Sequence, residues 1–75
     1  MKLPNAIAKH RRKALMTQEE LARAVSLSRG RLSMFEAGHT LPDKAELEAI
    51  AEVLGVKAEV LYPSQVRAVI NKYGG

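Results

Sequence analysis

Residues 18–37 read QEELARAVSLSRGRLSMFEA, and the spacing of apolar residues in this stretch decides the fold. Leu21, Ala22 and Val25 fall on one side of a helix, and Leu32 and Phe35 do the same three residues apart, so each half reads as a short one-sided helix. Thr17 and Glu20 make a capping-box pair that starts the first of these helices at Gln18 and carries it to Val25. Ser26-Leu27-Ser28 interrupts it, and Ser28 caps a following helix from Arg29 to about Ala37, ended by Gly38 as a left-handed cap. Two short helices joined by three residues are the sequence form of a helix-turn-helix. Leu21, Val25, Leu27, Leu32 and Phe35 supply its shared core, and the small Ala22 lets the helix axes approach at a steep angle.

Outward from this unit the periodicity stays helical, so the chain reads as all-α. Asn5 to about Leu15 fits a first helix after Pro4, with Ala6, Ile7, His10 and Ala14 on one face and Lys9, Arg12 and Lys13 on the other. Beyond the Thr40-Leu41-Pro42 loop, Asp43 and Glu46 repeat the capping box ahead of a helix from Lys44 to Leu54, whose stripe is Leu47, Ile50, Ala51 and Leu54 and which Gly55 closes. Val56 to Tyr62 has a trace of strand-like character but reads as a single helical turn at about Lys57 to Leu61, stopped by Pro63. Ser64 is placed to cap a sixth helix from about Gln65 to Tyr73, and Gly74-Gly75 is expected to fray. The division is a domain over 1–63 and a C-terminal helical segment over 64–75.

With 75 residues, 47% of them hydrophobic, the chain suits one folded domain with a single small core, and a deep catalytic cleft is not expected. It contains no cysteine, which excludes a disulfide framework, a thiolate metal site and a cysteine nucleophile. Two distant histidines without a neighbouring carboxylate motif form no triad and no metal set, so neither enzyme, metal nor cofactor is expected. No apolar run approaches the roughly 20 residues that span a bilayer, and a cytoplasmic location is the expectation. Charge is divided unevenly. Residues 1–31 hold eight basic and two acidic residues, a balance of +6, whereas residues 32–75 hold four basic and six acidic ones, a balance of −2. A half so basic is suited to a polyanion, while Glu46, Glu48, Glu52 and Glu59 read as a solvated face turned away from it.

From Ile7 to Leu61 the chain resembles the lambda-repressor-like, Cro/CI-type (XRE) helix-turn-helix family of bacterial and phage regulators. The resemblance rests on TQEELA at 17–22, SRGRLSMFEAG at 28–38, the following Leu41-Pro42 and AEVLGV at 51–56. It implies a five-helix domain, to which the segment after Pro63 adds a short sixth helix, and a third helix lying in the major groove of DNA. Position by position it implies base-side roles for Gln18, Arg29, Gly30, Arg31, Ser33 and Met34, with Gln18 meeting a phosphate or the outermost base. Arg29, and next Arg31, can donate two hydrogen bonds to guanine, Gly30 allows close approach of the backbone, and Met34 offers apolar contact. Thr17, Ser28, His39 and Thr40 are implied phosphate contacts, joined by Arg12 and Lys13 from the basic run at 9–13. Arg11 and Glu36 are implied to form a structural ion pair. Ser26 stands where many members have Gly, so a left-handed turn there costs roughly 1 kcal/mol. His10 replaces a common Leu and reads as a half-buried packing residue, and Ala37 replaces a frequent Asn.

The function implied is sequence-specific control of transcription by occupancy of a palindromic double-stranded DNA operator. The alternative is an antitoxin that neutralises a partner toxin and represses its own operon. Val66, Val69, Ile70 and Tyr73 recur at i, i+3, i+4 and i+7, an apolar stripe that either joins two copies into a homodimer or folds back on its own domain.

Overall fold

The computed structural model describes residues 3–73, which form six α-helices and no strand: α1 Ile7–Lys13, α2 Gln18–Ala24, α3 Arg29–Ala37, α4 Lys44–Leu54, α5 Ala58–Leu61 and α6 Ser64–Tyr73. Gly74 and Gly75, with their expected fraying, lie outside the described residues, as does the side chain of Tyr73. No helix among the described residues is long and apolar enough to cross a membrane.

Side-chain caps fix where the central helices begin. The Thr17 hydroxyl accepts the Glu20 amide at 3.0 Å while the Glu20 carboxylate accepts the Thr17 amide at 2.8 Å. Asp43 and Glu46 make the same reciprocal pair at 2.7 and 2.8 Å, and Ser28 accepts the Arg31 amide at 3.1 Å. Each such cap contributes about 1 kcal/mol.

The helix exits are equally regular. Four of the described residues turn left-handed, Leu15 at φ 58°, Ser26 at 59°, Gly38 at 79° and Gly55 at 70°. In every case the turning residue and its successor donate back into the last helical turn: Leu15 to Arg12 and Met16 to Arg11, Ser26 to Arg23 and Leu27 to Ala22, with the equivalent pairs at Gly38 and Gly55. This is the Schellman arrangement, which glycine enters without a Cβ clash. The left-handed turn expected at Ser26 is present. The one at Leu15 departs from the expected helix to about Leu15: α1 stops at Lys13, and a leucine adopts a conformation costing roughly 1–2 kcal/mol.

At its other end α1 starts at Ile7, two residues after the expected Asn5. Ala6 is the cap residue, and Asn5 before it supplies the side-chain acceptor, its Oδ1 taking the Ile7 amide at 3.0 Å. The Ala6 amide is satisfied by the Leu61 carbonyl at 2.9 Å, which ties the start of α1 to α5. Ser64 is likewise not a cap but the first residue of α6, whose first turn closes from the Arg67 amide onto the Pro63 carbonyl.

The core gathers one face from each helix: Ile7 from α1, Leu21 and Ala22 from α2, Leu32 and Phe35 from α3, Leu47, Ile50 and Ala51 from α4, then Leu61, Tyr62 and Ile70. Val25, Leu27 and Leu54 are half-buried against it. The position of Ile70 corrects its reading as a dimer contact. It is 2% exposed inside its own domain, with Val66 packed beside it, because a core this small gains about 1.5–3 kcal/mol from each large aliphatic side chain it encloses. Val69 on the same helix stays 44% exposed.

Candidate nucleic-acid interface

The second half of α3 is anchored by side chains from three directions. Glu36 lies at the centre, with Arg11 Nε donating to its Oε2 at 2.7 Å and Arg11 Nη2 to its Oε1 at 3.2 Å. Gln18 Nε2 donates to the same Oε1 at 2.9 Å, and Arg11 Nη1 reaches the Met16 carbonyl at 2.8 Å. Both charged side chains are largely withdrawn from water, 11% exposed for Arg11 and 7% for Glu36. On the backbone side, Asn5 Nδ2 donates to the carbonyls of Phe35 and Glu36 at 3.0 and 3.3 Å, beside the Gly38 amide that also reaches Phe35. One node therefore joins α1, the α1–α2 turn and the start of α2 to α3, and fixes the direction in which α3 projects.

The first half of α3 projects. Leu32 and Phe35 turn inward, and at 100° per residue the opposite side of the helix carries Gly30, Ser33, Met34 and Ala37, at i, i+3, i+4 and i+7. Gly30 and Met34 are exposed, and Ser33 and Ala37 half-buried. A Cβ built at Gly30 would meet nothing within 4 Å, so no contact inside the chain requires glycine there. Arg29 and Arg31 flank this stripe on its two sides. Two arginines and no carboxylate occupy the first turn of α3, where the helix dipole favours anions and disfavours cations. The arrangement works against helix stability and leaves backbone N–H groups, a positive helix end and guanidinium donors together, the combination that receives phosphate and base-edge acceptors.

The two arginines differ in state. Arg29 is exposed and has no ion-pair or hydrogen-bond partner among the described residues. Arg31 is tied to α4: its Nε donates to Glu46 Oε2 at 2.7 Å and its Nη2 to Oε1 at 2.9 Å, with the guanidinium 5.1 Å from the Phe35 ring centroid. The hydrogen bonds from Arg31 hold the Glu46 carboxyl below its ordinary range, helped by the Asp43 amide and opposed by partial burial. Glu46 therefore leaves the solvated acidic face to which it was assigned, whereas Glu48, Glu52 and Glu59 are exposed. Its reach across to α3 comes from its place in the first turn of α4, directly after the Pro42 loop that returns the chain to α3.

A sequence model of the helix-turn-helix family matches residues 7–61, which spans α1 to α5. The chain belongs to the helix-turn-helix family, XRE type. Among solved structures it is similar to the crystal structure of the hypothetical transcription factor NHTF from Neisseria. The two share 28% sequence identity at a TM-score of 0.68, over 87% of this chain and 75% of that one. No curated protein matches the chain.

In this helix-turn-helix domain α2 and α3 are the motif, and the remaining assigned residues fall around it unevenly. Thr17 and Ser28, the caps of α2 and α3, are exposed, and each hydroxyl accepts one backbone amide while keeping its own hydrogen for an outside acceptor. Arg12 and Lys13 are exposed at the end of α1, immediately after the buried Arg11, and His39 and Thr40 are exposed in the turn after α3. Gln18, assigned to a phosphate or the outermost base, is half-buried, and its amide donates one hydrogen bond to Glu36. Neither the buttress of Glu46 on Arg31 nor the two-sided role of Asn5 is contained in the sequence reading. A Glu at the third position of a helix signals a capping box, not a partner 15 residues earlier. No group of His, Cys, Asp or Glu among the described residues is arranged to hold a metal ion.

Proposed function

We propose that the protein is a sequence-specific regulator of transcription that acts by binding double-stranded DNA and carries out no catalysis. In this reading the first turn and outer stripe of α3 enter the major groove. The observation that carries it is the form of α3 itself: anchored at its C-terminal half by Asn5, Arg11 and Gln18, it presents Arg29, Gly30 and Arg31 from the other end, at a cost to helix stability that nothing inside the chain recovers at Arg29 and Gly30. Family membership supports the same use of the motif, and so does the likeness to a protein described as a transcription factor.

Arg29 donates to guanine O6 and N7, Ser33 and Met34 line the groove, and Arg12, Lys13, Thr17, Ser28, His39 and Thr40 meet phosphates. Control is by occupancy. One short recognition helix reads few base pairs, so the working unit is a homodimer on a palindrome with half-sites about 34 Å apart. Its contact lies among the apolar side chains that stay exposed after α4, Val60 at 46% and Val69, and not at Ile70.

Competition binding tests the assignment. Arg29→Ala is expected to lower specific affinity by about 1–3 kcal/mol and to relax one base position, while Lys13→Ala weakens specific and random duplexes alike. Equal losses on both duplex types for both variants would remove Arg29 from the base-reading set.

A further inference from the structure

Resting on the DNA-binding reading above, we propose that Glu46 is a positioning residue for base recognition: by holding Arg31 from the side, it presents the end of the guanidinium to a guanine. The geometry of the pair carries this. A guanidinium has two edges that can make paired hydrogen bonds, the side edge through Nε and Nη2 and the end edge through Nη1 and Nη2. Glu46 takes the whole side edge, with bonds of 2.7 and 2.9 Å. The end edge remains, and it matches the O6 and N7 acceptors of guanine in the major groove. Beneath it the fully buried Phe35 ring, its centroid 5.1 Å from the guanidinium carbon, adds a cation–π contact on the inner side.

Glu46 is itself held. Its Oε1 accepts the Asp43 amide at 2.8 Å, its own amide donates to Asp43 at 2.7 Å, and its side chain is only 15% exposed, whereas that of Arg31 is 48% exposed. The order at the start of α4 is thereby passed through one carboxylate to the face of α3. Arg29, with no partner among the described residues, has no such support. The two arginines of the first turn thus divide the work, one preorganised and one ordered only on binding, and a preorganised side chain loses less freedom when it binds.

Simple electrostatics predicts something different for the same residue. A carboxylate beside a DNA-binding face repels phosphates, so neutralising it raises affinity for every duplex equally. Positioning instead predicts a loss confined to one base pair. The test is a base-by-base affinity profile of the selected site for the wild type, Glu46→Gln, Arg31→Ala and Arg31→Lys, with thermal melting of each variant run alongside. Gln retains the capping box, so the fold is preserved.

The expected result is a guanine preference at one position of about 5- to 150-fold in the wild type, the span for one bidentate arginine. It should be lost in both Arg31 variants and reduced at least fivefold in Glu46→Gln, with affinity for random duplex unchanged or higher. A full guanine preference in Glu46→Gln, with loss only in the Arg31 variants, overturns the positioning role while leaving the DNA reading in place. An unchanged profile in Arg31→Ala makes the pair purely structural and also overturns it. A wild type without any preferred site overturns the DNA reading itself.

Discussion

Replacing Glu36 by Ala removes the acceptor of three hydrogen bonds and leaves the Arg11 guanidinium, 11% exposed, with the Met16 carbonyl as its remaining partner. A buried charge stripped of its counter-ion costs about 3–5 kcal/mol. The whole stability of a domain this size is about 4–11 kcal/mol, so about a quarter or more of it is at stake. With a melting shift of about 4–8 °C per kcal/mol for a small domain, the midpoint falls by at least about 12 °C. Urea unfolding followed by far-ultraviolet circular dichroism measures this directly, and a double-mutant cycle with Arg11→Ala isolates the pair from the rest of the node. Arg11→Met combined with Glu36→Met provides the control: with both charges gone and the volume kept, stability is expected within about 1 kcal/mol of wild type or above it. A loss under about 1 kcal/mol for Glu36→Ala, the range of an exposed pair, together with coupling near zero, would refute the node as the anchor of α3.

Gly30→Ala separates stability from function: with open space at its Cβ, it raises stability by about 1 kcal/mol in unfolding experiments, while specific DNA affinity falls because the added methyl occupies the groove-facing side. Ile70→Asp places a charge in the core and is expected to unfold the domain, whereas Val69→Asp is expected to leave a folded chain and, by light scattering, to shift the proposed dimer toward monomer. Glu46 gives the stability curve an acid limb. Because Arg31 lowers its folded pKa, its contribution is present above the ordinary value of 4.5 and is lost as the pH falls through the lower folded value, so the gap between wild type and Glu46→Gln should close as the pH drops below 4.5.

Most of the fold is legible in the sequence because its helix ends are written in local chemistry. Thr17 with Glu20, Asp43 with Glu46, and Ser28 each bond an amide three residues away, and a pattern of that range survives in one dimension. Gly38 and Gly55 mark their exits for the same reason. Leu15 does not, since nothing in a leucine announces a left-handed turn. The site divides along the same line. Arg29, Gly30 and Arg31 can be placed on α3 from spacing and resemblance, but the state of each side chain depends on partners far along the chain. Gln18 and Glu36 are separated by 18 residues, Arg31 and Glu46 by 15, and Asn5 and Phe35 by 30. The fate of the 64–75 segment belongs with these: an apolar stripe states that something must cover it, and only the packing shows that its own core takes Ile70 and leaves Val69 outside.

The central claim, that the projecting half of α3 reads DNA sequence, is tested most directly by selecting bound fragments from a random duplex pool with the wild-type protein. A palindromic motif is predicted, containing guanine in each half-site with half-site centres about 34 Å apart, and Arg29→Ala in the same selection should lose one of its guanines. Recovery of unenriched sequence by the folded wild-type protein, or of the same motif by Arg29→Ala, would contradict the account.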